Sequence, residues 1–392
     1  MAPPFIPYGH QVIEEDDVAE VAEALRSDWL TCGPRVEAFE NAIANYVRVR
    51  HAVAVNSGTA ALHAAVAALG IGPGDEVIVP PITFTATANC AIFVGAVPVF
   101  ADVDPATGRI SASEIERRIT ARTKAIITVD YAGHPCDYGA IEALADRRGV
   151  SIVCDACHAL GATYKGRCVG SLGRLSTFSF HPVKHIATGE GGMIVTEDAA
   201  LAARMRDFRT HGITRDARRF AGLGGRGAAL REQGPWYYEM QALGYNYRMS
   251  DINCALGISQ FRKLDRFVER RRAVAALYHE QLRDMPHVQC PQVATGVESS
   301  WHLYPVLIDF EAADRTRSEV MKRMLELGVG TQVHYIPVCL QPYYRERFGA
   351  REGDYPGAES FYARQLSLPM FASLEDADIA RVVSALKDAL VP

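Results

Sequence analysis

Residues 52–79, AVAVNSGTAALHAAVAALGIGPGDEVIV, decide the fold. Ala52 to Val55 is a short valine-rich run of strand length, Ala60 to Leu69 carries apolar residues at helical spacing with Gly70 just past its end, and Glu76 to Val79 is a second apolar run. Strand, helix and strand in so short a span mark an α/β layer in which helices join parallel strands through right-handed crossovers. The same rhythm continues outward. Further strands are expected at Val97–Ala101, Ala125–Val129, Ser151–Cys154, Ser176–Phe180 and Met193–Val195, and helices at Ala86–Val94, Ser113–Ile119, Tyr138–Arg148 and Ala199–Arg209. Gly95 and Gly149 stand just past two of these helices, where a left-handed C-cap belongs.

Beyond residue 209 the rhythm breaks. Arg215 to Gln241 holds GLGGRG and GPWYY without periodicity, too long for an ordinary connector, and reads as a functional loop over a site or a neighbouring subunit. Ile258, Phe261, Leu264, Val268, Ala275, Tyr278 and Leu282 then recur near helical intervals and predict a long linking helix. After it come an expected strand (His302–Ile308), helix (Arg317–Leu327), strand (Gly330–His334) and terminal helix (about Leu374 to Leu390), a compact α+β unit. The expected division is therefore a large α/β domain with its N-terminal segment over 1–255, and the linker helix with a small C-terminal domain over 256–392.

Composition narrows the partners. The chain has 392 residues, 48% of them hydrophobic, and a net charge of -5, which suits a globular protein long enough for two cores. Lys and Arg are scattered, so no basic face offers itself to nucleic acid, and small molecules and further copies of the chain are the expected partners. MAPPFIPYGH has neither a basic start nor a long apolar run, and no window reaches the roughly 20 apolar residues that cross a bilayer. A cytoplasmic protein without membrane contact is expected. Its cysteines number nine, and Cys90, Cys154 and Cys254 lie in apolar runs, as buried free thiols do. Cys154, Cys157 and His158 spell C-x-x-C-H, but the motif follows an apolar strand, without an export signal or a Trp-Cys context, so neither haem attachment nor a redox pair is expected, and no metal site.

Four features carry chemistry. In STFSFHPVKHIATGEGG (176–192) an alternating strand delivers Lys184 into a loop closed by glycines. Asp155 follows a strand that should be buried, where a lone carboxylate needs a cationic partner such as a protonated ring nitrogen. Asn56-Ser57-Gly58-Thr59 lies between a strand and a helix, where backbone N–H groups and a hydroxyl meet a phosphate. Phe84, in PITFTATAN, stands just past a strand's carboxyl end and offers a flat face to a ring. Each has a plainer reading: a solvated lysine, a turn cap, an N-cap, a core phenylalanine. Their order along one α/β domain is what favours a cofactor with a ring and a phosphate.

NSGTAALHAA, PPITFTATANCA, DACHALGA, FSFHPVKHIATGEGG, GYNYRMSDI and QVHYIPVCLQPYY follow one another as the motifs of the DegT/DnrJ/EryC1/StrS sugar aminotransferases do, and over practically its whole length the chain resembles that family. The resemblance implies the fold type I of pyridoxal phosphate (PLP) enzymes, akin to aspartate aminotransferase: a large, mostly parallel sheet domain with a smaller α+β domain. It implies PLP as cofactor, Lys184 as the Schiff-base lysine, Asp155 as partner of the pyridinium nitrogen, Phe84 as the stacking ring, and Gly58, Thr59, Ala60 and Ser179 around the phosphate. His158 would approach the cofactor's phenolic oxygen, and Asn246 would bind phosphate across a homodimer. His181, His334 and Tyr335 would face the substrate. L-glutamate would be the amino donor and a UDP-linked keto sugar the acceptor, since GPWYYEMQALGYNYRMSDINCALG and SSWHLYPVLI look most like family members that make the 4-amino sugar of pseudaminic acid biosynthesis. One branch of the family dehydrates sugars and has histidine in place of the lysine; here Lys184 is present. The departures are Cys157, where Ser or Ala is usual, and His185, where a smaller or aliphatic residue is usual.

Overall fold

The computed structural model describes residues 4–221 and 234–391. The GLGGRG stretch, 222–227, lies outside the described residues. Two helices, α1 (Glu15–Arg26) and α2 (Pro34–Val47), precede the alternating part: β1 (His51–Val55), α3 (Gly58–Ala68), β2 (Glu76–Val79), α4 (Thr85–Phe93), β3 (Val97–Phe100), α5 (Ala112–Arg118), β4 (Thr123–Val129), α6 (Tyr138–Arg148), β5 (Ser151–Asp155), β6 (Leu175–Ser179), β7 (Gly192–Thr196) and α7 (Ala199–Phe208). The sheet order is β1-β7-β6-β5-β4-β2-β3. All its strands are parallel except β7, which is antiparallel to both neighbours.

Period-2 alternation sorts the strand residues onto two faces. Ala52, Ala54, Ile78, Ile126, Ile152, Cys154, Met193 and Val195 pack with α2 and α6, whereas Val53, Val55, Val77, Val79, Ala125, Ile127, Val153 and Ile194 pack with α3 and α4. Both faces are covered, so the strands read as continuous apolar runs. The sheet is mostly parallel, as the family resemblance implies, but its strand order departs from a simple strand-helix-strand succession. β1 and β2 are not neighbours, and β6 runs to β7 through a loop with no helix, as an antiparallel pair permits. That loop carries Lys184.

After α8 (Asp251–Phe261) and α9 (Leu264–Leu282) come β8 (Tyr304–Ile308), α10 (Arg317–Glu326), β9 (Gln365–Leu368) and α11 (Asp376–Leu390). A separate cluster gathers Val274, Tyr278 and Leu282 of α9 with Tyr304, Val306, Val320, Leu366, Ile379 and Leu386. The strand expected at Gly330–His334 is absent. Only Gln332 bridges to Ser367, and β8 pairs instead with β9, a strand the sequence reading passed over. The N-terminal segment also joins this unit: Ile6 is in its cluster and donates its N–H to the Gly328 carbonyl at 2.9 Å. No helix among the described residues is long and apolar enough to cross a membrane.

Candidate active site

A cleft of about 570 Å³ opens beyond the carboxyl ends of the parallel strands, where open α/β sheets bind ligands. Of the residues singled out from sequence, Gly58, Thr59, Phe84, Asp155, His158, Ser179, His181, Lys184, His334 and Tyr335 line it together.

Lys184 is delivered by a loop tied down at both ends. Phe180 donates its N–H to the Gly191 carbonyl at 2.9 Å, and Thr188 donates back to the Phe180 carbonyl at 2.9 Å. Buried Phe180 rests against Phe39, and buried His185 shares a 3.0 Å hydrogen bond between Nε2 and the Ser300 carbonyl. Held so, Lys184 turns into the cleft. Burial pushes its amine below the ordinary lysine range, and nearby Cys157 and Asp155 pull it back up.

Asp155 ends β5 with 6% of its surface exposed. Its Oδ2 accepts from Thr87 Oγ1 at 2.6 Å and its Oδ1 from the Cys157 N–H at 3.2 Å, so the carboxylate is fixed without a cationic side chain on it. Thr87 was missed in the sequence, although it stands in the first turn of α4, three residues past Phe84. Phe84 is the residue before that helix; it is 60% exposed, its ring 6.3 Å from that of Tyr335.

The first turn of α3 faces the cleft. Ser57 caps it by accepting the Ala60 N–H at 3.1 Å, so Ala60 is engaged and lies behind the cleft wall rather than on it. The N–H groups of Gly58 and Thr59 have no acceptor within the helix, and the helix dipole adds positive potential there. A Cβ on Gly58 would come within 2.9 Å of Ser179 Cβ, and one on Gly192 within 2.4 Å of the Ser57 carbonyl oxygen. Glycine at both places lets β6, β7 and the helix start close into a cradle.

Neutral histidines fill the opposite side. His158 shares a 3.2 Å hydrogen bond between Nε2 and Tyr335 Oη, while its buried Nδ1 has no partner among the described residues. His302, which the sequence reading did not single out, lies 4.3 Å ring to ring from His158 and also leaves Nδ1 unpaired. Burial holds His158, His185 and His302 well below the ordinary imidazole range and His334 at about 3. Arg271 of α9 braces this wall by donating to the carbonyls of Trp301, His302 and Met370. Tyr8 and Glu190 line the cleft as well; Glu190 stands in the quoted 176–192 motif but was not singled out, and no motif marked Tyr8. Asn246 does not reach the cleft of its own chain. Its side chain is exposed, and its carbonyl accepts from Asn56 Nδ2 at 3.4 Å.

Cys154 and Cys157 are unbonded, as are the other seven cysteines, and Cys90, Cys154 and Cys254 are buried, as expected of free thiols in apolar runs.

The family model of the DegT/DnrJ/EryC1/StrS aminotransferase family matches residues 11–387. The spore coat polysaccharide biosynthesis protein SpsC of Bacillus subtilis is 42% identical over 98% of this chain and 97% of its own length. Among solved structures, the PMP form of Spr1654 from Streptococcus pneumoniae superposes with a TM-score of 0.90 at 30% identity, covering 98% of this chain and 99% of that one. PseC of Helicobacter pylori, an aminotransferase involved in pseudaminic acid biosynthesis, does so at 0.89 and 30%, with the same coverage. A lysine amine, a buried carboxylate and an open helix N-terminus around one cleft fit an aldehyde, a ring nitrogen and a phosphate. The chain belongs to the DegT/DnrJ/EryC1/StrS aminotransferase family and is a sugar aminotransferase of fold type I that depends on PLP.

Proposed function

We propose that the cleft moves an amino group from L-glutamate to the C4 keto group of a UDP-linked 4-keto-6-deoxy-N-acetyl hexose, giving UDP-4-amino-4,6-dideoxy-N-acetyl-β-L-altrosamine. The observation that carries the reading is Lys184: an amine whose pKa burial lowers, in one cleft with a fixed carboxylate and a free helix N-terminus. The likeness to PseC supports the sugar. Residues 1–255 would hold the cofactor, and 256–392 would close the substrate side.

Bound PLP supplies an electron sink that makes the α-proton of an amino acid removable. Lys184 would hold the cofactor through Nζ, and its amine, which the lowered pKa keeps within reach of the neutral form, would carry the proton to and from the substrate carbon. Asp155 keeps the ring nitrogen protonated, with Thr87 and the Cys157 N–H fixing its two oxygens. Gly58, Thr59 and Ser179 hold the phosphate. Phe84 would offer its flat face to the ring, and His158 a neutral hydrogen-bonding edge. His181, His334 and Tyr335 meet the sugar, and a homodimer completes the site through Asn246.

One finding favours a second reading, the same chemistry on another nucleotide 4-keto sugar of a bacillosamine, legionaminic acid or dTDP-aminosugar pathway. The spore coat relative is 42% identical, against 30% for PseC. A panel of nucleotide 4-keto sugars with glutamate, read by 2-oxoglutarate release and product mass, separates them. Fastest turnover of the UDP-N-acetyl sugar is expected. Fastest turnover of any other nucleotide 4-keto sugar in the panel would favour the second reading, and none with any keto sugar would sink both.

A further inference from the structure

His63 lies on α3, just beyond the turn that forms the cradle, and is 3% exposed. It faces away from the cleft lining into an aromatic cage: ring centroids of Phe93, Phe208 and Tyr245 lie 5.1, 5.0 and 5.0 Å away. Its Nδ1 shares a 3.1 Å hydrogen bond with Tyr247 Oη. Tyr245 and Tyr247 stack on one another at 5.1 Å and 16°, although one residue separates them. That residue is Asn246.

The backbone around Asn246 is pinned as firmly. Tyr245 and Tyr247 donate their N–H groups to the Phe208 and Arg209 carbonyls at 2.7 and 2.9 Å, and the Tyr247 carbonyl accepts the Asn56 N–H at 2.9 Å. Asn56 immediately precedes Ser57, the cap of α3. One buried histidine and one asparagine thus tie the Tyr245–Tyr247 segment to the helix that opens on the phosphate cradle. The Asn246 side chain is exposed and has no hydrogen-bond partner among the described residues.

We infer that the His63–Tyr247 hydrogen bond positions Asn246 for the phosphate of a neighbouring copy's cofactor. His63 and Tyr247 are positioning residues: they touch no ligand and act through Asn246. The geometry couples each copy's own cradle to the arm it extends, since both hang on the start of α3. The inference rests on the reading above that Asn246 completes the partner's site.

The experiment is a titration of apoenzyme with pyridoxal phosphate, read by absorbance, for the wild type, Tyr247→Phe, Asn246→Ala and the double variant, with dimer mass followed in parallel. Tyr247→Phe keeps the ring and the stack and removes one neutral hydrogen bond, so an affinity loss of about three- to ten-fold is expected with the dimer intact. Because Tyr247 acts through Asn246, the double variant should bind no more weakly than Asn246→Ala alone. His63→Leu should repeat the loss, and His63→Asn, which keeps a polar atom near Nδ1, should restore part of it. Additive losses, or full affinity in Tyr247→Phe beside a weakened Asn246→Ala, overturn the inference and leave the reading of Asn246 standing. Full affinity in Asn246→Ala overturns both.

Discussion

Lys184 and Asp155 come from adjacent parallel strands, one past the end of β6 and the other at the last residue of β5, which brings side chains 29 positions apart to one cleft. Lys184→Ala should fold and bind pyridoxal phosphate loosely, and convert it with glutamate at background rate in a single turnover, because tether and proton carrier are lost together. Conversion at the wild-type rate would remove Lys184 from the mechanism. Asp155→Asn should slow the same half-reaction by about 10²–10³-fold, the scale of losing one electrostatic partner of a developing charge. Thr87→Val, which removes the 2.6 Å bond to Asp155 Oδ2, should cost only about three- to ten-fold. If Thr87→Val proved as damaging as Asp155→Asn, the threonine would have a role of its own. Lys184 and Asp155 stand out as charged residues in the loop after one strand and at the end of another, but only their order along the domain and the family resemblance gave them roles. Thr87 and His302 break no pattern: a threonine in a first helical turn and a histidine before a strand are ordinary until the fold shows what they face.

At the level of elements, α3 shows what local sequence can say. Ser57-Gly58-Thr59 after a valine strand announces a capped helix start, and the helix begins at Gly58. Sequence did not reveal that this start is squeezed against β6. Gly58→Ala would set its Cβ 2.9 Å from that of Ser179, an overpacking worth about 1–3 kcal/mol, and should weaken cofactor binding correspondingly. Adding Ser179→Gly should recover part of the lost thermal stability if the clash is the cause, though not the phosphate contact that Ser179 itself would supply. Failure to recover would mean that the cradle is spoiled by the helix itself. Strand pairing was the less legible part. β1, β2 and β7 all read as apolar runs, and the direction of β7 follows from the chain's return through the Lys184 loop rather than from its composition. In the C-terminal unit, Gly330–His334 has strand-like residues, but β9 occupies the edge of β8, and only Gln332 keeps a bridge.

Taken whole, the molecule buries six imidazoles that it keeps neutral. His63 and His134 are lowered to about 4 and His334 to about 3, with His158, His185 and His302 well below their ordinary value of 6.5. Asp130 goes the other way, raised by burial to about 7. As pH falls through 6.5 the unfolded chain takes up protons on the six histidines that the folded chain refuses, so stability drops; Asp130, protonated in the fold, adds stability over the same range. Six groups outweigh one. The thermal midpoint should therefore fall between about pH 7 and about pH 5. A midpoint that stayed level or rose would mean that these rings are charged in the fold.

The molecule also leaves large apolar groups uncovered in the stretch that precedes Asn246: Trp236, Tyr238, Met240 and Leu243 are 66%, 52%, 60% and 73% exposed. We propose that a second copy covers this surface, and the central claim is that a working site takes Lys184 from one copy and Asn246 from another. Subunit exchange tests it most directly. Lys184→Ala and Asn246→Ala, the latter at a cofactor concentration that leaves its sites empty, are each expected to be inactive. Mixed, they form heterodimers with one pocket damaged twice and one intact, so after random exchange about a quarter of wild-type activity should return. No return after demonstrated exchange would contradict the account and place the whole site within a single chain.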